Sequence, residues 1–199
     1  MSENVLDALM PLLEGGNLQQ IAGQLGMSPQ QAGTAVTAAV PLLVGAMQRN
    51  AASPAGMDSL AAALDRDHDG SILNDLAGFL GGGGSGTAAA GAGILGHLLG
   101  GRQSSVASSL GKSTGLDAGQ ILQLLTLLAP LVMGALGKAK RQVPSGSGGL
   151  ADLLGGATRQ VDQQAPDLMS SLGRMLDADG DGSPIDDIAG IAGAFFSKR

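Results

Sequence analysis

The sequence predicts an all-α protein made of two tandem related units of short helices, each ending in a helix, an acidic loop and another helix. Composition is the first reason. Of 199 residues, 34 are Gly and three are Phe, with no Trp or Tyr. Residues that fill sheets are scarce, and good helix formers such as Ala and Leu supply most of the apolar mass. A repeat is the second reason, because LDRDHDGSILNDLAG at 64–78 returns as LDADGDGSPIDDIAG at 176–190. The third is that helix-start and helix-stop residues fall at corresponding places in both halves.

The first unit is expected over residues 1–80. Leu6, Leu9 and Leu13 share one face of a helix over 5–14 that Gly15 and Gly16 end. A helix over 18–25 is closed by Gly26. Ser28 then caps a third, with Pro29 at its first position and Gln31 three residues on, a capping-box arrangement. That helix runs through Val36 towards Met47, and Pro41 predicts a kink or break midway, since it lacks the amide the ladder needs. Residues 59–64 lead into the acidic loop and 72–80 lead out of it.

GGGGSGTAAAGAG at 81–93 reads as a flexible linker. The helical part of a second unit follows over 94–142. VASSLGKS at 106–113 repeats IAGQLGMS at 21–28, and LAPLVMGAL at 128–136 repeats AVPLLVGAM at 39–47, so Pro130 predicts the same bend as Pro41. The spacing between these blocks differs by about one helical turn. A second linker is expected over 143–149, around PSGSGG. C-terminal helices with the second acidic loop occupy 150–199, with Asp167 capping a helix over 168–176.

Charge narrows the function. Residues 1–80 hold eight acids and two arginines, within a net charge of −6. Such a surface repels phosphate backbones and anionic lipid. The absence of Cys excludes disulfides and thiolate metal sites. The most apolar stretch, 121–137, is near the lower limit for crossing a bilayer and contains Gln123, Thr126 and Pro130, so a buried helix is expected and no membrane span. MSENVLDALM has no basic leader region, and a cytoplasmic location is expected.

The acidic loops carry the chemistry. Asp65, Asp67 and Asp69 alternate, followed by Gly70, Ser71, Asn74 and Asp75; Asp177, Asp179 and Asp181 are followed by Gly182, Ser183, Asp186 and Asp187. Carboxylates so crowded repel one another unless a cation lies among them. Calcium takes six to eight oxygens from a chain that curls around it, with glycine making the bend and the next carbonyl contributing. The metal ligands expected are therefore Asp65, Asp67, Asp69, Ser71 and Asp75, and Asp177, Asp179, Asp181, Ser183, Asp186 and Asp187. Both loops resemble the front half of the calcium loop of EF-hand and dockerin proteins. They depart at the twelfth position, where Leu76 and Ile188 stand in place of a closing glutamate. Poorer ligation implies weak binding, on the order of 10⁻⁴ to 10⁻³ M. The same residues also suit plain helix starts: Ser183 is a good cap, Pro184 fits the first turn, and acids favour the positive end of the dipole.

Other signals are weaker. IAGQLGMSPQQAGTAV has the outline of a DNA-reading helix-turn-helix. Its second helix offers Gln30, Gln31, Thr34 and Thr37 but no cation before Arg49, so a packing unit is favoured. GAGILG at 91–96 spells the dinucleotide-binding glycine pattern with no strand before it. Lys138, Lys140 and Arg141 suit a helix C-terminus. For catalysis there is little: His68 lies in an acidic loop, and His97 between leucines reads as a partly buried structural histidine. No enzyme is expected.

GGNLQQIAGQLGMSPQQA with the Pro41 helix, LDRDHDGSILNDLAGFL, and ILGHLLGGRQSSVASSLGKSTGL with LAPLVMGAL resemble the YidB-like family of bacterial proteins, a domain of unknown function (DUF937). That resemblance implies a small all-helical fold with homeodomain-like, helix-turn-helix packing in soluble bacterial proteins, and brings no catalytic residues. The function expected is a non-enzymatic binding or assembly module. Its loops would take calcium, and the apolar helix faces over 35–46 and 122–136 would serve self-association or a protein partner. The alternative is a nucleic-acid-associated protein using the helix-turn-helix-like segment.

Overall fold

A computed structural model describes residue 9 and residues 16–66, 70–81, 85–142 and 147–164. Among these the regular elements are all helical, with no strand. They are α1 (Asn17–Leu25), α2 (Pro29–Ala51), α3 (Pro54–Arg66), a 3-10 turn (Ser71–Leu73), α4 (Leu76–Gly81), α5 (Ser85–Leu99), a 3-10 turn (Gly100–Arg102), α6 (Gln103–Thr114), α7 (Ala118–Gln142) and α8 (Ser147–Gln164). Residues 1–160 form one compact unit and 161–199 another; of the latter, 161–164 are described, as the end of α8. The helix expected over 5–14, apart from a helical and buried Leu9, lies outside the described residues, as does the one over 168–176.

Capping chemistry sets the first helix boundaries. Gly26, at φ +63°, closes α1, and the Met27 amide donates to the Ala22 carbonyl at 3.0 Å. In the capping box of α2, Gln31 N donates to Ser28 Oγ at 3.2 Å and Ser28 N to Gln31 Oε1 at 3.0 Å. The second half reuses this device with an acid. Gly119 N donates to Asp117 Oδ1 at 2.7 Å, and Asp117 N to Gln120 Oε1 at 3.2 Å. Pro41 and Pro130 both sit inside unbroken helices. Each removes one ladder bond, and the dense packing on either side holds the turns in place.

The one-turn difference in repeat spacing lies in α6. By its letters Gly111 matches Gly26, yet α6 continues a further turn to end at Gly115, at φ +73°. Gly111 instead serves packing. A Cβ there would lie 2.7 Å from the Leu116 carbonyl, so the glycine lets the chain fold back on its own helix.

α7 is the axis of the unit, with α1, α2, α3, α5 and α6 packed on it. From Leu128 to Gly137 every residue is buried, and Leu124, Leu125, Leu128 and Leu131 are fully inside. Each such leucine contributes about 1.5–3 kcal/mol of burial. A helix apolar on all sides is one wrapped by neighbours. α7 is also long and apolar enough to cross a membrane, but 67% of that window is buried within the protein.

The glycine-rich stretch expected as a linker over 81–93 is helix from Ser85 onward. The correction has a steric cause. A Cβ on Gly91 would overlap the Thr126 carbonyl of α7, so the small side chain admits a backbone-to-backbone approach. Leu95 and Leu99 bury the same face one and two turns on. The second expected linker, over 143–149, is likewise helical from Ser147; 143–146 lie outside the described residues. α8 buries Leu150, Leu154 and Ala157, and Thr158 Oγ1 donates to Gln48 Oε1 of α2 at 2.8 Å.

The faces expected to mediate association are core instead. Ala35, Val36, Ala39, Leu42 and Leu43 of α2 are buried, as are Leu124, Leu125, Leu128, Val132 and Leu136 of α7, and the two helices pack on each other. The apolar stripes of α2 and α7 satisfy one another within one chain.

The two long helices are not covered alike. Pro41 and Gly45 on α2 are half-buried, whereas their counterparts Pro130 and Gly134 on α7 are buried. A Cβ on Gly134 would lie 2.5 Å from Ile72 Cγ2, while one on Gly45 meets nothing within 4 Å among the described residues. Arg49, one turn beyond Gly45, has its pKa lowered by burial and by the neighbouring Arg102 guanidinium.

Paired alanine substitutions test the close contacts. Gly91→Ala and Gly134→Ala are expected to lose about 1–3 kcal/mol by forcing α5 and the 3-10 turn, respectively, away from α7. Gly93→Ala and Gly45→Ala, both at open positions, gain up to about 1 kcal/mol of helix propensity. Urea denaturation of the four variants reads both signs; equal effects at Gly91 and Gly93 would refute the close approach of α5.

Candidate functional site

The first acidic loop is anchored at both ends on α7. It begins where α3 runs out. Leu64 is buried at 2% exposure, so Asp65 projects outward from the next position. Lys140 Nζ, in the last turn of α7, lies 2.7 Å from Asp65 Oδ1 and 3.3 Å from the Ala61 carbonyl. One ammonium thus answers the Asp65 carboxylate and the partial negative charge at the end of α3. Asp65 is 67% exposed and Lys140 22%, so the pair is screened and contributes less than about 1 kcal/mol.

The exit of the loop is held by shape. Gly70 is buried at φ +87°, and a Cβ there would lie 2.8 Å from Lys138 Cβ and 3.0 Å from the Gly134 carbonyl. Only glycine combines that left-handed bend with that contact. The 3-10 turn follows, with Leu73 N donating to the Gly70 carbonyl at 3.1 Å and Asn74 N to the Ser71 carbonyl at 2.9 Å. It sets Ile72 against Gly134, and Ser71 faces solvent. Asp75 starts α4: its Oδ1 accepts from Gly78 N at 3.0 Å. Gly78 has no Cβ to displace that carboxylate.

Of the residues singled out as metal ligands, Asp65, Ser71 and Asp75 are therefore described. Asp65 faces Lys140, and one oxygen of Asp75 serves as a helix cap. Asp67 and Asp69, with His68, lie outside the described residues, as do Asp177, Asp179, Asp181, Ser183, Asp186 and Asp187. Among the described residues, no three His, Asp or Glu side chains are grouped to hold a metal ion.

The helix-turn-helix-like segment is α1, the Gly26 turn and α2. Its exposed polar residues are largely engaged along their own helix. Thr34 Oγ1 donates to the Gln30 carbonyl at 3.0 Å, Thr37 Oγ1 to the Gly33 carbonyl at 2.8 Å, and Gln31 closes the capping box. The rest of the fold braces the turn: Gln120 Nε2 donates to the Leu25 carbonyl at 3.0 Å, and Gln24 Nε2 to the Leu80 carbonyl of α4. GAGILG lies wholly inside α5, so it is not a strand-to-helix phosphate loop.

His97 is exposed, where its leucine neighbours suggest a partly buried structural role. It lines an open groove of about 630 Å³ between α3 and α5, with Met133 of α7 beneath. Leu60, Ala63, Ile94 and Leu98 give the groove apolar walls, and Asp58 and Arg66 add charge.

Sequence reading missed the tie between Lys140 and Asp65. Its signal was present: a basic cluster at 138–141 and an acidic one at 65–69 have complementary charge. Only the fold brings together residues 75 positions apart.

No curated protein and no solved structure matches this chain. A family model described as "bacterial protein of unknown function (DUF937)" matches residues 7–139, from Asp7 almost to the end of α7. The chain therefore belongs to the bacterial family of unknown function DUF937.

Proposed function

We propose that this protein is a non-enzymatic helical binding module whose two acidic loops take a divalent cation, calcium by preference. The observation that carries the reading is the docking of the first loop. Its two ends touch α7, through Lys140 on Asp65 and through Ile72 and Gly70 on Gly134. Whatever binds between those ends acts on the central helix of the unit, and so on its stability. A ligand that binds only the folded state must stabilise it.

Calcium is preferred to magnesium on chemical grounds. Alternating carboxylates around a glycine bend supply flexible oxygen ligands, which suit a large ion with irregular coordination. Magnesium demands a near-ideal octahedron and keeps most of its water. The Asp75 carboxylate has an oxygen besides the one that caps α4. Without a closing glutamate the affinity stays weak, on the order of 10⁻⁴ to 10⁻³ M.

Thermal melting with calcium and with chelator tests the reading. At 10 mM calcium, a loop binding with a dissociation constant of about 1 mM adds about 1.4 kcal/mol, a rise of a few degrees. Asp67→Ala and Asp179→Ala together should abolish the rise. Identical melting curves with calcium and with chelator in the wild type would remove calcium from the proposal.

A further inference from the structure

We infer that the groove between α3 and α5 is where a second copy of this chain docks, with the α3 helices of the two copies antiparallel across a two-fold axis. The inference stands apart from the cation reading and uses none of its residues. Asp58, Ala62 and Arg66 all line the groove. Spaced four residues apart, they share one face of α3, with an acid at one end, a methyl group in the middle and a base at the other. Laid on a copy of itself turned end for end, that face sets each Asp58 opposite the other copy's Arg66. A contact between two-fold-related copies has to be self-complementary in this way. The two charges stand about 12 Å apart along the helix, so both pairs form at once while Ala62, at the crossing, admits a close approach. Neither charge is spent within the chain. Among the described residues Asp58 makes no ion pair or side-chain hydrogen bond, and Arg66 makes one bond, from Nε to the Ala62 carbonyl at 3.3 Å.

The opposite wall suits the same occupant. Ala89, Ala90, Ala92, Gly93 and Gly96 of α5 are exposed, and from Ser85 to Leu99 that helix carries no Asp, Glu, Lys or Arg. An uncharged helix face beside an apolar groove has the make-up of a contact surface rather than a hydrated one. In the paired arrangement the second copy's α3 lies along the mouth of the groove, between α3 and α5, and symmetry places this copy's α3 likewise in the other groove. Size sets the strength of the contact. α3 and α5 are 13 and 15 residues long, about 20 Å each. A patch two helices wide therefore covers about 400–600 Å² per copy, below the roughly 800 Å² per partner of a stable complex. The dimer is weak and reversible.

Sedimentation velocity of the full chain, from about 10 μM to 1 mM, tests this. The wild type should move from monomer towards dimer across that range. Asp58→Arg and Arg66→Asp, each alone, turn both pairs into repulsions and should weaken association about tenfold or more. Both positions are exposed, so the substitutions leave the fold intact. Mixed in equal amounts, the two variants should associate with each other about as the wild type does, because the mixed dimer again sets acid against base at both places. A wild type that stays monomeric at the top of the range overturns the inference and leaves the groove to another occupant. A dimer that both reversals leave intact, or that the mixture fails to restore, overturns it as well, since association would then run through a different face.

Discussion

Backbone-to-backbone contact at glycine is the constraint from which the rest of this structure follows. With three Phe and no Trp or Tyr, the chain has few large side chains to bridge gaps between helices. Burial must come from bringing the helices close together. α5 approaches α7 at Gly91, the start of α3 approaches the end of α2 at Gly56, and the 3-10 turn lies on Gly134. At each, a single methyl group would collide with backbone or side chain. Leucines a turn or two away can then seal the contact.

Those close approaches also place the acidic loop. Gly134 admits Ile72, and Gly70 fits over Lys138, so the described ends of the loop both rest on the C-terminal half of α7. That end carries Lys138, Lys140 and Arg141, which favour a helix C-terminus on dipole grounds. One of them, Lys140, also meets the carboxylate of Asp65. The described ends of the loop are thus held on α7 by sterics at Gly70 and by charge at Asp65.

How much of this could be read in the residues varies by element. The caps were legible because their chemistry is local: Ser28 with Gln31, and Gly26 at the end of α1, state their roles within four residues. The buried character of α7 was legible too, from Gln123, Thr126 and Pro130 in an otherwise apolar run. The stretch over 85–93 was not. Glycine and alanine suit a linker when solvated and a helix when a neighbour lies close, and the neighbour is Thr126, more than thirty residues on. Gly111, aligned by its letters with the terminating Gly26, serves close packing instead, since packing and helix termination both call for glycine. His97 looked partly buried by its neighbours in sequence, but the gap between α3 and α5 leaves it open.

By itself the sequence determined the helical class and the helix boundaries set by side-chain caps. Both rest on interactions a few residues apart. Only the tertiary structure decided that the apolar faces of α2 and α7 cover each other, that a glycine-rich segment is a packed helix, and that Asp65 meets Lys140. Those outcomes depend on which distant surfaces fit together. Local chemistry can supply the surfaces, but shape and charge across the whole chain choose the pairing.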